Sequence, residues 1–168
     1  ISGKHGGEKP SQIVAIDSKL NYAKNGILID DSQLTITDWN NDLLDMVDNI
    51  TQGPQILIGS SLGGWLMILA AKARKSKIAG LIGLAPAADA TIYLMNELPK
   101  KIQNEIQKKG ISKFKKWNVI LTKKFFQDGK KNLVLKNNFS FNKPVILIHG
   151  LQDKDVSPEI SQKILKKI

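Results

Sequence analysis

The chain has no cysteine, and it is poor in other residue types that particular functions require. Without cysteine it can form no disulfide and can offer no thiol nucleophile or thiolate metal ligand. Only two histidines are present, His5 and His149, which disfavours a histidine-rich metal centre. No apolar stretch is long enough to span a bilayer. We therefore expect no metal, no cofactor and no membrane span, and we expect a cytoplasmic location.

Arginine is also scarce, although the chain is strongly basic. Its formal net charge at pH 7 is +10, yet Arg74 is the only arginine. Nucleic-acid sites favour the planar fork of arginine, and short scattered lysine groups are typical of a solvated surface. We therefore expect no nucleic-acid partner. A lysine-driven binder of nucleic acid or of another acidic surface stays an alternative, which the salt dependence of binding would test.

The 168 residues are enough for one domain, and their apolar segments alternate between strand and helix patterns. Strands are predicted at residues 26–30, 55–58, 78–84 and 144–148, the last three as buried strands. Helices are predicted at residues 9–24 (with residues 13–16 as an alternative strand), after a cap at Thr37, at residues 62–75, and after Ser157 with Pro158 in the first helical position. The residues predicted to face inward on the helix after Thr37 are Trp39, Leu43, Met46, Val47 and Ile50.

The order of these elements predicts an α/β fold with a mostly parallel sheet flanked by helices. Residues 55–84 read strand, helix, strand with short links, which is the pattern of a right-handed βαβ unit. Residues 91–142 differ, because they are rich in lysine, contain scattered aromatic residues and are interrupted by proline and glycine. We interpret them as a helical insertion above the sheet, within a single domain that covers residues 1–168.

Residues 59–63 read Gly-Ser-Ser-Leu-Gly between a predicted buried strand and a predicted helix. In that context Gly-x-Ser-x-Gly predicts a nucleophile elbow, where small residues on either side allow a sharp turn at the serine. The turn would raise Ser61 Oγ above the sheet at the positive end of the helix. The Leu62 N–H would then face the position of a tetrahedral oxyanion. The alternative is a serine in a merely structural glycine turn.

Asp153 is the predicted acid of the same site. It follows the last predicted strand. In folds that carry a Gly-x-Ser-x-Gly nucleophile elbow, the acid comes from the loop after a late strand and lies after the serine in chain order. Two other aspartates compete for this role. We expect Asp155 to order the loop before Ser157, and we expect Asp89, which follows the preceding strand, to be structural.

Three segments, residues 53–65, 81–89 and 149–153, together resemble the palmitoyl-protein-thioesterase-like α/β-hydrolases. The resemblance covers most of the chain from about Gly26 onward and is strong around Ser61. It implies an α/β-hydrolase fold that hydrolyses carboxylic esters or acyl thioesters through a Ser-His-Asp triad. It also implies that the insertion at residues 91–142 is a lid over an acyl pocket.

The sequence departs from this family in ways that affect catalysis. Family members carry the triad histidine downstream of the acid, whereas no histidine follows Asp153 here. They also begin with strands that would precede Ile1, one of which ends in a second oxyanion-hole N–H, and the loop after Asp30 lacks their glycine- and histidine-containing turn. We therefore expect an incomplete fold in which residues 13–16 could replace a central strand. Ser61, Leu62 and Asp153 would then work with a histidine from a partner fragment or an oligomer.

The two histidines of the chain are weak substitutes for that base. We expect His149 to be a structural histidine bonded to nearby backbone rather than the base, and His5 lies in a glycine-rich segment. A serine hydroxyl without its base is barely nucleophilic at neutral pH. A catalytically inactive remnant, or a binding module that keeps the pocket, is therefore the alternative to an active hydrolase.

Overall fold

A computed structural model describes residues 34–168 and three strands that precede them. The strands are β1 (Gln12–Ile16), β2 (Ala23–Lys24), β3 (Ile27–Leu28), β4 (Gln55–Ser60), β5 (Ile78–Leu84), β6 (Ile111–Phe114), β7 (Val119–Thr122) and β8 (Val145–Ile148). The helices are α1 (Ile36–Asp45), which continues into a π-helical turn (Met46–Ile50), α2 (Leu62–Ala73), α3 (Ala90–Glu97), α4 (Lys100–Lys109), α5 (Lys123–Gly129) and α6 (Glu159–Leu165), and a 3₁₀ turn (Lys75–Lys77) precedes β5.

The main sheet is parallel, with the strand order β1-β4-β5-β8. Leu57 of β4 and Leu81 of β5 are paired across the sheet and are buried. Helix α2 crosses between these strands and packs on this face, where it buries Trp65 and Met67. The α/β architecture predicted from the sequence is therefore confirmed, and the carboxyl ends of the parallel strands lie along one edge.

Strand β8 is less buried than predicted. It pairs with β5 and ends the sheet on that side within the described residues. Ile146 is 54% exposed and Ile148 is 58% exposed. Both are paired with Ile82 and Leu84 of β5. Side chains alternate along a strand, so these residues project to the face opposite the one on which Leu81 and α2 lie. The prediction that this strand is buried on both faces was therefore wrong for one face.

The helix predicted at residues 9–24 is not formed, because residues 12–16 are β1 and pair with β4 in parallel. The alternative strand at residues 13–16 is thus confirmed. It lies beside β4, in the position of the central strand that residues 13–16 were expected to replace. Of the strand predicted at residues 26–30, Ile27–Leu28 form β3, which pairs with β2 in a separate antiparallel ribbon, and β2 (Ala23–Lys24) is the end of the predicted helix. The other residues of both predicted elements lie outside the described part of the chain.

Two helix ends differ from the predictions. Thr35, not Thr37, caps α1 through a capping box with Asp38, in which Asp38 N–H donates to Thr35 Oγ1 at 3.2 Å and Thr35 N–H donates to Asp38 Oδ2 at 2.9 Å. Thr37 instead donates from its N–H and its hydroxyl to Asp128, at 2.8 Å each. Helix α6 begins one residue later than predicted, so that Pro158 is its cap residue.

The inward face predicted for α1 is correct except at its end. Leu43 and Val47 are buried, and Trp39 and Met46 pack partly buried against the core. Ile50 is 68% exposed. The reason is the π-helical turn, because its wider spacing moves Ile50 off the buried face.

The insertion at residues 91–142 contains helices, as expected, but they make up less than half of it, and it also contains an antiparallel hairpin. Strands β6 and β7 form this hairpin, with Asn118 in the left-handed region at φ 53° in the connection. The β-branched residues of β7 favour a strand. Helix α5 then packs on the core through Phe125 and Phe126, which are buried.

Candidate active site

Ser61 is the single residue between β4 and α2, and its backbone is strained. Its φ is 50° and its ψ is −119°, a conformation that L-residues rarely adopt and that persists only when the surroundings enforce it. The Ser61 N–H donates to Leu84 O at 3.0 Å. The Ser61 carbonyl accepts from Gly64 N–H at 3.0 Å and from Ala87 N–H at 2.8 Å. Three backbone hydrogen bonds therefore hold this turn.

Two glycines make the sharp turn possible. A Cβ atom on Gly59 would lie 2.4 Å from the carbonyl oxygen of Gly63. A Cβ atom on Gly64 would lie 2.4 Å from Pro86 Cβ. Real Cβ atoms do not approach other heavy atoms so closely, so that glycine is required at both positions for steric reasons.

The Leu62 N–H lies at the start of α2, directly after Ser61. The first N–H groups of a helix have no acceptor within the helix, and they lie at the positive end of its dipole. Ser61 itself is partly exposed. A hydroxyl, and an N–H donor with no acceptor among the described residues, therefore lie side by side at the carboxyl edge of the sheet. There the hydroxyl can act as a nucleophile and the N–H can stabilise a developing negative charge.

Asp153 lies in the loop after β8 and is one-quarter exposed. Its Oδ1 accepts from Asp155 N–H at 2.8 Å and from Val156 N–H at 3.0 Å. These hydrogen bonds, that of Val156 first, lower the pKa of Asp153. Its Oδ2 lies 3.6 Å from His149 Nε2. The carboxylate is thus charged at neutral pH and holds its own loop.

Both ring nitrogens of His149 form hydrogen bonds with nearby residues of the same loop and of α6. Nε2 lies 2.9 Å from Val156 O, which can only accept, so this nitrogen carries a hydrogen. Nδ1 lies 2.7 Å from Ser161 Oγ. The side chain is only 6% exposed. These contacts match the structural histidine that the sequence favoured.

The two competing aspartates have different partners from Asp153. Asp155 forms an ion pair with Lys116 of the hairpin connection, so that Asp153 rather than Asp155 orders the loop before Ser157. Asp89 is buried and accepts from the N–H groups of Val134 at 2.8 Å and Leu135 at 3.0 Å. Burial raises the pKa of Asp89. Asp89 therefore has the structural role that we expected of it.

The structure brings Ser61 and Asp153 to the same edge but not into contact. Ser61 follows β4 and Asp153 follows β8, with β5 between these strands. Two strand spacings amount to about 10 Å. No hydrogen bond joins Ser61 to His149 or Asp153 in the described part of the chain, and His5 lies outside it.

Tyr93 of α3 lies near Asp89 and Asp153, and the sequence analysis did not single it out. Its hydroxyl is buried and has no hydrogen-bond partner among the described residues. Burial, followed by the negative charges of Glu97, Asp89 and Asp153, raises the pKa of Tyr93. The only sequence signal was its place on the helix after Asp89, which does not distinguish it from other partly buried tyrosines.

Two surface recesses lie away from Ser61, and the described residues form neither a metal-ligand cluster nor a membrane-spanning helix. Two surface recesses, of about 350 and 340 Å³, are lined by residues of other regions and not by Ser61. Within residues 34–168 and the three earlier strands, no three histidine, aspartate or glutamate side chains group as metal ligands. No helix in this same part of the chain has the length and apolarity to cross a membrane.

Comparison with known proteins identifies the family. The family model described as "Serine aminopeptidase, S33", of the hydrolase type, matches residues 28–138. The chain belongs to this α/β-hydrolase family. The human palmitoyl-protein thioesterase ABHD10, mitochondrial, is 36% identical over 139 residues, which are 80% of this chain and 45% of that protein. The mouse protein of the same name is 36% identical over 142 residues, which are 82% and 48% of the two chains.

Solved structures agree with this assignment. The alpha/beta hydrolase domain-containing protein 10 from mouse has a TM-score of 0.72 and 35% identity, and the match covers 82% of this chain and 57% of that one. Est1E from Butyrivibrio proteoclasticus shares the fold, with a TM-score of 0.68, 19% identity, and coverage of 94% and 73%. The α/β-hydrolase fold implied by the resemblance is therefore confirmed. The chain spans about half the length of the curated relatives that it matches.

One expectation is overturned by these relatives. Their names place them in mitochondria, which contradicts the cytoplasmic location expected from the sequence. The composition on which the expectation depended contains no signal that separates the two locations.

Proposed function

We propose that this chain carries the nucleophile and the acid of a serine hydrolase that acts on acyl esters or acyl thioesters. The observation that supports this most directly is the strained backbone of Ser61 between β4 and α2, because a nucleophile elbow requires a sharp, strained turn at its serine. The substrate class follows from the relatives, which are named palmitoyl-protein thioesterases.

The proposed reaction assigns one role to each residue. Ser61 Oγ attacks the acyl carbonyl and gives its proton to a histidine, and the Leu62 N–H stabilises the oxyanion. The histidine returns the proton to the leaving alcohol or thiol. Water then attacks the acyl-Ser61 ester with the same histidine as base, the bond to Ser61 Oγ breaks, and the histidine returns the proton to Ser61 Oγ as the carboxylic acid leaves. Asp153 orients that histidine and stabilises its charged form.

The histidine is the part of this scheme that the described residues do not supply. His149 is engaged by Val156 and Ser161, and it follows β8, two strands from Ser61. We propose that the base comes from a polypeptide segment that is not among these residues. The gap of about 10 Å between the ends of β4 and β8 is wide enough for an imidazole to bridge Ser61 and Asp153.

The insertion at residues 91–142 is proposed to be the lid of this same domain. Asp89 holds its C-terminal part through Val134 and Leu135, and the Lys116–Asp155 ion pair joins the hairpin to the Asp153 loop. The lid would therefore cover the edge at which Ser61 and Asp153 lie.

A non-catalytic role is the alternative, and the engagement of His149 favours it. The hydrogen bonds of Asp153 also explain that residue without catalysis, since they order its loop. A protein that keeps the acyl pocket without a base would bind acyl groups but not turn them over.

A fluorophosphonate probe separates these two functions. We expect it to modify wild type once, at Ser61, slowly in buffer and faster with added imidazole, which replaces the missing base in part. The variant Ser60→Ala, changed at the neighbouring serine, should be modified like wild type, whereas Ser61→Ala should not be modified. Peptide mapping after intact-mass analysis identifies the site. An unmodified Ser61 at every imidazole concentration would favour the non-catalytic alternative.

A further inference from the structure

The β6–β7 hairpin presents apolar side chains to solvent. Ile111 is 38% exposed, Ile120 is 45% exposed, and Trp117 in the connection is 37% exposed. Lys113 and Ile120 are directly paired across the strands, so they lie on the same outward face. On the opposite face Ser112 and Leu121 are buried, and Val119 near the connection is 38% exposed. The outward face therefore leaves the apolar side chains of Ile111 and Ile120 partly exposed to solvent, beside the partly exposed Trp117.

Lysines surround this apolar surface. Lys113 and Lys115 are exposed and form no ion pair within the described part of the chain. At the base of the hairpin, Lys123 N–H donates to Gly110 O at 2.8 Å, and Gly110 directly follows Lys109 in the chain. Isolated apolar residues on a surface are ordinary, but a group of them rimmed by unpaired cations indicates a specific partner.

The tip of the hairpin has a fixed shape. Phe114 and Trp117 form an edge-to-face pair with centroids 5.0 Å apart. Lys116 lies over the Trp117 ring at 5.5 Å and also pairs with Asp155, in the loop that carries Asp153. The apolar and basic surface is thus attached to the carboxyl edge of the sheet, beside the candidate active site.

We propose that the outward face of the β6–β7 hairpin docks on the surface of an anionic phospholipid bilayer. The lysines would contact lipid phosphates, while Ile111, Ile120 and Trp117 would enter the interface between head groups and acyl chains. A nucleic acid fits this surface less well, because it offers no apolar layer for the isoleucines and because arginine is absent from the patch. The inference depends on the hairpin surface alone and not on catalysis by Ser61.

Co-sedimentation of the 168-residue chain with lipid vesicles tests this inference. Wild type should bind vesicles of phosphatidylcholine mixed with phosphatidylglycerol, bind phosphatidylcholine alone much more weakly, and lose affinity as salt rises. The double variant Lys113→Glu/Lys115→Glu should lower the affinity by roughly tenfold or more, since each lysine near an anionic surface contributes measurably. Ile120→Asp should also weaken binding, whereas Ser61→Ala should bind like wild type.

Matched control variants make the same changes, two Lys→Glu substitutions or one Ile→Asp substitution, at surface positions outside the hairpin. Lys72→Glu/Lys75→Glu changes two exposed lysines near the end of α2, and Ile50→Asp changes an isoleucine that is 68% exposed. Both should bind like wild type, and circular dichroism should show that all variants are folded. Equal losses in the hairpin and control variants would overturn the proposal. So would equal binding to both kinds of vesicle, or binding to duplex DNA through the same lysines at least as tightly as to the anionic vesicles.

Discussion

At the residue scale, the position of Ser61 depends on close contacts at Gly59 and Gly64, which leave no room for a side chain at either glycine. Gly64 lies in the first turn of α2 against Pro86, and Pro86 belongs to the segment whose Ala87 N–H binds the Ser61 carbonyl. Steric contact and hydrogen bonding therefore connect the serine turn to the loop after β5.

Replacement of Gly64 by alanine should destabilise the fold. Its new Cβ would lie 2.4 Å from Pro86 Cβ and 2.7 Å from Pro86 Cα. The backbone of α2 or of the segment around Pro86 would therefore have to move. We expect the free energy of unfolding to fall by about 1–3 kcal/mol. Gly150→Ala is the control, because nothing lies within 4 Å of a Cβ at that position. Equal urea midpoints for the two variants would contradict the steric explanation.

Tyr93→Phe should stabilise the protein. The change removes a buried hydroxyl that has no partner in the described part of the chain and keeps the ring. A buried polar group without a hydrogen bond is unfavourable, so we expect the free energy of unfolding to rise by about 1 kcal/mol. Thermal and urea unfolding measure it. A loss of stability of the same size would show that the hydroxyl is bonded in solution.

At the scale of secondary-structure elements, Asp48 joins the π-helical turn after α1 to the end of α2. Arg74 Nε lies 3.0 Å from Asp48 Oδ1, and Arg74 Nη2 lies 2.8 Å from Oδ2. Lys77 Nζ lies 2.8 Å from Oδ1. The hydrogen bond from Arg74, followed by that from Lys77, lowers the pKa of Asp48 from 3.8 to about 2.

This shift predicts a pH dependence of stability. Because the folded state holds the charged form, the contribution of Asp48 is complete above the unfolded pKa near 3.8 and is lost as the pH falls toward about 2. We expect Asp48→Asn to be less stable than wild type at pH 6, and the difference to shrink between pH values of about 4 and 2. Urea titrations across this range measure it. A difference that is constant over the whole range would contradict the assigned shift.

The unit formed by β4, α2 and β5 could be predicted from the sequence because local and tertiary signals agree there. A short apolar run bounded by Gly53-Pro54 and Gly59 favours a buried strand, and the helix after Ser61 is apolar on nearly every side. Residues 12–16 could not be assigned with the same means, because their apolar spacing fits a helix and only the pairing with β4 makes them a strand.

The candidate site was predictable to a similar, partial extent. The turn at Ser61 follows from glycine spacing, which is a local signal. Which aspartate orders the loop before Ser157 depends on which carboxylate accepts from the N–H groups of that loop and which pairs with Lys116, 39 residues away in the chain. Such long-range contacts, and the buried Tyr93 hydroxyl without a partner among the described residues, leave no trace in the local sequence.

At the scale of the whole molecule, the edge of the sheet holds a proposed nucleophile and acid but no base within reach in the described residues. The chain spans about half the length of its curated relatives, so their whole activity need not reside in these 168 residues. Loss of one member of a catalytic triad removes several orders of magnitude in rate.

We therefore expect slow turnover of p-nitrophenyl acyl esters by this chain. His149→Ala should leave that slow rate unchanged, once the variant is shown to be folded, because His149 is bonded to Val156 and Ser161 rather than to Ser61. Fast turnover that His149→Ala abolishes would instead identify His149 as the base.

The most direct test of Ser61 as the nucleophile is the detection of its acyl-enzyme. The chain is incubated with a palmitoyl thioester, quenched in acid and analysed by intact mass and peptide mapping. Because deacylation also needs the missing base, we expect one palmitoyl group to accumulate on the peptide that contains Ser61, and none at that peptide in Ser61→Ala. Acylation that is confined to lysines, or that is the same in wild type and Ser61→Ala, would contradict the assignment of Ser61 as the nucleophile.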